Sequence, residues 1–131
     1  MGGILFLYKL IINKIKMGRT IKVMDAFGTY YILVAIIMYA LGTKNGCQVY
    51  CKGQKDYHCP LSLTDFLLEY IGLGFHKIHQ STMININHLS KRTVFNIEIV
   101  TMADKMKLDV SDRYQRKYKL LKLLSWIDLG Q

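Results

Sequence analysis

The chain has 131 residues, 51% apolar and 21% charged, a balance suited to one globular domain with its own core and unlike a disordered chain. Eighteen Lys and Arg against nine Asp and Glu leave a net charge of +9, which attracts polyanions such as nucleic acid or anionic lipid. No stretch supplies the roughly 20 apolar residues of a spanning helix; the nearest, Tyr30 to Leu41, reads as buried strands.

Residues 1–16 read as an apolar and basic extension, helical in its spacing. Ile4, Leu7, Tyr8, Ile11, Ile12 and Ile15 recur on one side, with Lys9, Asn13, Lys14 and Lys16 on the other. Residues 4–16 suit either a packed helix or weak contact with a membrane surface. Met17-Gly18-Arg19 would also open the following domain cleanly, and no signal peptide is recognisable ahead of it.

From Thr20 the texture is of short strands and turns. Thr20–Asp25 and Thr29–Leu33 flank Ala26-Phe27-Gly28, and Ile36–Leu41 is a buried strand. Asn45-Gly46 marks a reversal before Cys47–Lys52, which pairs in turn with Tyr57–Leu61. Pro60 belongs at an edge strand or a strand end. Ser62-Leu63-Thr64-Asp65 resembles a capping box and opens a helix over 62–72, with Leu63, Phe66, Leu67 and Tyr70 on its apolar side. Strands follow at Phe75–Ile78, Thr82–Ile86, Val94–Met102 and Met106–Val110, with Ala103-Asp104-Lys105 as a reversal. A C-terminal helix is expected near 111–126, capped by Ser111, with Asp112 favoured in its first turn.

The odd count of three cysteines, Cys47, Cys51 and Cys59, argues against a disulfide framework and for a reducing, cytoplasmic setting. Cys47, Cys51, His58 and Cys59 could be drawn together by a hairpin. Their spacing is not that of a zinc site, however, so buried thiols are expected, with no metal or other cofactor. Enzymatic function is disfavoured. Glycine-rich phosphate loops are missing, and His79 beside Ser81 has no orienting carboxylate near it in sequence.

The densest polar segment runs from Phe75 to Ile97 and contains no acidic residue. Lys77, Lys91 and Arg92 offer cations there, while Gln80, Ser81, Thr82 and Asn85 offer neutral hydrogen-bonding groups suited to phosphates and base edges. A polar hairpin with satisfied turn side chains fits the same composition.

Within this segment, Phe75-x-Lys77-Ile78-His79-Gln80-Ser81-x-x-Ile84-Asn85 resembles the signature of the LytTR DNA-binding domain family. Leu108-Asp109-Val110-Ser111-Asp112-Arg113-Tyr114 is similar to the family's second landmark, a strand that ends in Val-Ser and leads into the last helix. Ile36–Ala40 and Ser62-Leu63-x-x-Phe66 resemble two upstream landmarks, in the family's order. The likeness spans about Met17 to Leu124 and places a domain over 17–126, with 127–131 as a tail.

The resemblance implies a β-rich α+β fold, elongated and built of stacked small antiparallel sheets with short helices. The family commonly carries a receiver domain, which the sixteen leading residues could not hold, so a stand-alone domain is expected. Its implied partner is double-stranded DNA, contacted by loops in the major groove, with two copies on repeated half-sites, as a transcriptional regulator. Carried over by position, the contact residues are Lys44, Asn45, Gln80 and Arg113, with Lys77 and Ser81 as phosphate partners. The family usually has a basic residue where Asp112 stands here. The competing expectation is a small basic protein that binds a membrane surface or a partner without reading DNA sequence.

Overall fold

A computed structural model describes residues 3–5, 7–8, 18–90 and 96–129, with 122–129 described through their backbone alone. Most of the expected N-terminal helix, the start of the strand at Val94, Lys91, Arg92 and the last two residues lie outside the described residues.

Strands dominate, in the β-rich α+β class expected. Seven form one antiparallel sheet: β1 (Thr20–Asp25), β2 (Gly28–Leu33), β3 (Ile37–Thr43), β4 (Gly46–Cys51), β5 (Tyr57–Cys59), β6 (Phe75–His79) and β7 (Thr82–Asn85). Their order across the sheet is β2-β1-β5-β4-β3-β7-β6. A separate ribbon pairs β8 (Ile99–Thr101) with β9 (Lys107–Asp109). Helices α1 (Leu63–Glu69) and α2 (Asp112–Leu129) and short 3-10 turns at Val34–Ile36 and Ile86–His88 accompany the strands, and the described residues 3–5 and 7–8 are helical.

The local causes are legible. Ser62 accepts a hydrogen bond from the Asp65 N–H at 3.1 Å and caps α1, and Pro60 follows the last residue of β5. α1 is shorter than the expected 62–72, because Gly72 and Gly74 take positive φ of 84° and 101° just after it. The strand expected over Val94–Met102 is described only at Ile99–Thr101; Asn96 instead forms a turn, its side chain accepting from the Glu98 N–H at 2.8 Å.

Apolar clusters lie on both faces of the sheet. On one, Phe66 and Leu63 of α1 pack with Ile21, Val49, Phe75 and Met83, and Phe66 meets Phe75 edge-on at 5.0 Å. On the other, Tyr39, Ile78 and Ile84 pack with Val100, Met102 and Leu108 of the ribbon and Tyr118 of α2. The Tyr39 hydroxyl donates to Asp104 at the ribbon's turn, 3.0 Å away, and its ring stacks on Tyr50. Burial first, and the Asp104 carboxylate second, push the Tyr39 hydroxyl far above its ordinary pKa.

Central strands covered on both faces lose the alternation of a half-exposed sheet. All four residues of β7 are buried, including Thr82 at 8% exposure and Asn85 at 1%. This corrects the expectation that Thr82 and Asn85 would offer hydrogen bonds to an external ligand.

Candidate nucleic-acid interface

The six sequence-derived contact residues occupy three places in the chain. Lys44 and Asn45 form the β3–β4 turn, both exposed. Gly46 closes that turn at a φ of 148°, and a Cβ there would stand 2.1 Å from the Cys59 carbonyl oxygen, so only glycine fits. Gln80 and Ser81 form the β6–β7 turn and are exposed; Lys77 lies on β6, half-buried. Arg113 is the second residue of α2, exposed, with its guanidinium 5.8 Å from the Tyr114 ring centroid.

Two backbone hydrogen bonds join these places. β3 and β7 are sheet neighbours, and beyond their last pair, Leu41 with Thr82, the Gly42 N–H donates to the Ser81 carbonyl at 2.8 Å. The β3–β4 and β6–β7 turns are thereby held side by side. The second joint comes from a bulge. The β6–β7 register shifts between Lys77 and His79, which takes Ile78 out of the ladder. The Ile78 carbonyl then accepts from the Ser111 N–H at 2.9 Å, anchoring the start of α2 against β6. Asn45, Gln80 and Arg113 each lie one to three residues from one of these joints, within about 10 Å along even an extended backbone.

The β6–β7 turn is braced from within. The Ser81 N–H donates to His79 Nδ1 at 3.2 Å, and the Ser81 hydroxyl lies 3.1 Å from the same nitrogen. His79 is therefore a structural acceptor that holds the turn. Below it, Asn85 donates to the Ile37 carbonyl at 2.9 Å and accepts from the Asn87 N–H at 3.0 Å, and the Asn87 amide reaches the Leu73 carbonyl at 3.1 Å. His88 Nε2 donates to the Ala35 carbonyl at 2.7 Å. Sequence reasoning missed this internal amide layer; the polar side chains it uses carry no local mark that separates them from surface ones.

Cations dominate the edge. Lys44, Lys77, Arg113, Arg116 and Lys117 all lie on these turns, on β6 or on the first turns of α2. Burial, assisted by the positive charge of Lys117, holds His76 below its ordinary pKa, so it adds no charge at neutral pH. Asp112 stands in the first turn of α2, where its carboxylate accepts from the Gln115 amide at 3.1 Å. An extended arrangement of this kind suits a polyanion rather than an enclosed small molecule.

The cysteines behave differently. Cys47 and Cys59 face each other across β4 and β5, fully buried, and Cys51 is buried four residues further along β4. The hydrogen bond with Cys59 and burial push the Cys47 thiol up, and burial pushes Cys51 up to about 11. Among the described residues no group of His, Cys, Asp and Glu is arranged to hold a metal ion. None of the described helices is long and apolar enough to cross a membrane.

The family model of the LytTr DNA-binding domain matches residues 28–122. Among solved structures, the LytTr DNA-binding domain of a methyl-accepting/DNA response regulator from Bacillus cereus is similar, with a TM-score of 0.66 and 18% identity. The match covers 78% of this chain and 94% of that one, and at this identity it speaks to fold alone. No curated protein matches the chain.

Proposed function

The chain belongs to the LytTr DNA-binding domain family, a DNA-binding rather than an enzyme family, and on that premise we propose that it reads duplex DNA sequence-specifically as a transcriptional regulator. The observation that carries the proposal is the joining of three exposed turns by the Gly42–Ser81 and Ile78–Ser111 hydrogen bonds. Turns so linked can follow a major groove about 12 Å wide. The Arg113 guanidinium fork matches guanine O6 and N7, while the Asn45 and Gln80 amides match adenine N6 and N7. Lys44, Lys77 and Ser81 engage phosphates and fix register. Two copies read repeated half-sites, in the cytoplasm where the DNA is.

Selecting bound duplexes from a random pool tests this reading. An enriched, paired motif is expected. Arg113→Ala should relax preference at one position, by about 1–3 kcal/mol, whereas Lys77→Ala should weaken all duplexes alike and reduce the salt slope by about one. Absence of enrichment leaves only charge-driven adhesion and overturns the proposal.

A second reading, weak contact of residues 4–16 with an anionic membrane surface, draws on the helical, largely exposed Ile4, Leu5, Leu7 and Tyr8, which Lys9, Lys14 and Lys16 follow in sequence. Sedimentation with anionic vesicles should then fall when those residues are removed; unchanged sedimentation discards it.

A further inference from the structure

The seven-stranded sheet has two outer strands, β6 and β2, and they are treated differently. At β6 the segment leading into α2 lies against the edge, with the Ser111 N–H on the Ile78 carbonyl. At β2 no described strand pairs with the outer side.

The register states which backbone groups are left. Asp25 pairs with Gly28 around a two-residue turn, and at the other end the Val34 N–H donates to the Arg19 carbonyl at 2.9 Å. Hydrogen bonding alternates along an antiparallel pair, so Gly28, Tyr30 and Ile32 bond to β1. The N–H and C=O of Thr29 and Tyr31 and the N–H of Leu33 point away from the sheet, while the Leu33 carbonyl opens the 3-10 turn over Val34–Ile36 and keeps one lone pair for a second donor. The side chains of these three residues are exposed too, Tyr31 at 70% and Leu33 at 47%.

An outer strand ordinarily carries a Lys, a Pro or a bulge that discourages pairing. β2 has none of these: its sequence is GTYYIL, its register is unbroken, and no charged residue lies between Asp25 and Lys44.

We propose that β2 is the self-association edge of this protein, where a second copy of the chain adds its own β2 antiparallel across a two-fold axis through Tyr31. In that register Tyr31 faces Tyr31 of the second copy, and Thr29 faces Leu33 of the second copy. Every outward N–H and C=O of the strand then has a partner, and the two tyrosines and two leucines share one face.

Charge favours a second copy as the occupant. Copies of a +9 chain repel over most of their surface, but the ionic groups flanking this edge are paired within the chain, Asp25 with Lys55 and Arg19 with Glu69. Lys22, opposite Tyr31 on β1, would stand three strand spacings, roughly 14 Å, from Lys22 of the second copy, beyond a Debye length. An acidic partner or DNA would find no cation on β2 itself. The proposal goes beyond the DNA reading and is measured without DNA, so its failure leaves DNA contact standing.

Sedimentation equilibrium and backbone amide exchange, both on the full chain without DNA, test it. The mass should rise with concentration toward twice the 15.2 kDa of one chain. The Thr29, Tyr31 and Leu33 amides should become protected in step with that rise, while Tyr30 and Ile32 are protected throughout. Tyr31→Lys should return the mass to one chain and remove protection at the three outward amides alone; Tyr31→Phe should behave as wild type. A single-chain mass at all concentrations, or a dimer with those three amides unprotected, overturns the proposal. So does a dimer that survives Tyr31→Lys.

Discussion

Asn85 is 1% exposed and bonds two backbone groups of neighbouring segments, the Ile37 carbonyl and the Asn87 N–H. Replacing it by Leu removes both buried bonds, so a loss of about 1–3 kcal/mol is expected. A lower urea midpoint with an unchanged slope would record it. Asp112 is the contrasting case, an exposed carboxylate beside Arg113. Asp112→Asn should strengthen DNA binding several-fold at low salt and little at high salt, since the repulsion it removes is screened. Titration at two ionic strengths checks this, and an equal gain at both would point to a non-electrostatic cause. From sequence both are polar side chains near the candidate contacts, Asn85 within a strand and Asp112 opening a helix. What separates them is burial on both faces of β7, a property of distant elements rather than of neighbours in the chain.

At the scale of elements, β6 carries most of the architecture near the proposed interface. Its bulge at Ile78 sends that side chain into the core and its carbonyl to Ser111, and His76 packs half-buried on the same strand near Lys117 of α2. Because the folded His76 is held below the ordinary value of 6.5, the unfolded chain binds its proton first as pH falls. Stability should therefore be unaffected above that value and decline below it, until the folded pKa is passed. Thermal melts between pH 8 and pH 5 should show the decline, and His76→Gln should flatten it. A parallel decline in the variant would assign the effect to other groups. The turns and caps were readable because their chemistry is local: Ser62 caps α1, and Asn45-Gly46 closes the β3–β4 turn. The bulges at Met38 and Ile78 were not, since the shift of pairing that creates each depends on a partner strand.

Across the whole molecule, the same nonlocality governs the proposed interface. Lys44, Gln80 and Arg113 are far apart in sequence, and no periodicity links them; the landmarks of the family placed them as candidates, and the β3–β7 pairing and the Ile78 carbonyl bring their turns together. The sheet itself, clamped between α1 on one face and the ribbon with α2 on the other, gives those turns a rigid base. The direct test is a titration of the full chain with a selected duplex, followed by the backbone amide resonances. Residues 44–45, 80–81 and 113 should shift together, saturating at one stoichiometry, with β2 and α1 still. Shifts confined to one of the three turns, or centred on α1, would contradict a single reading surface.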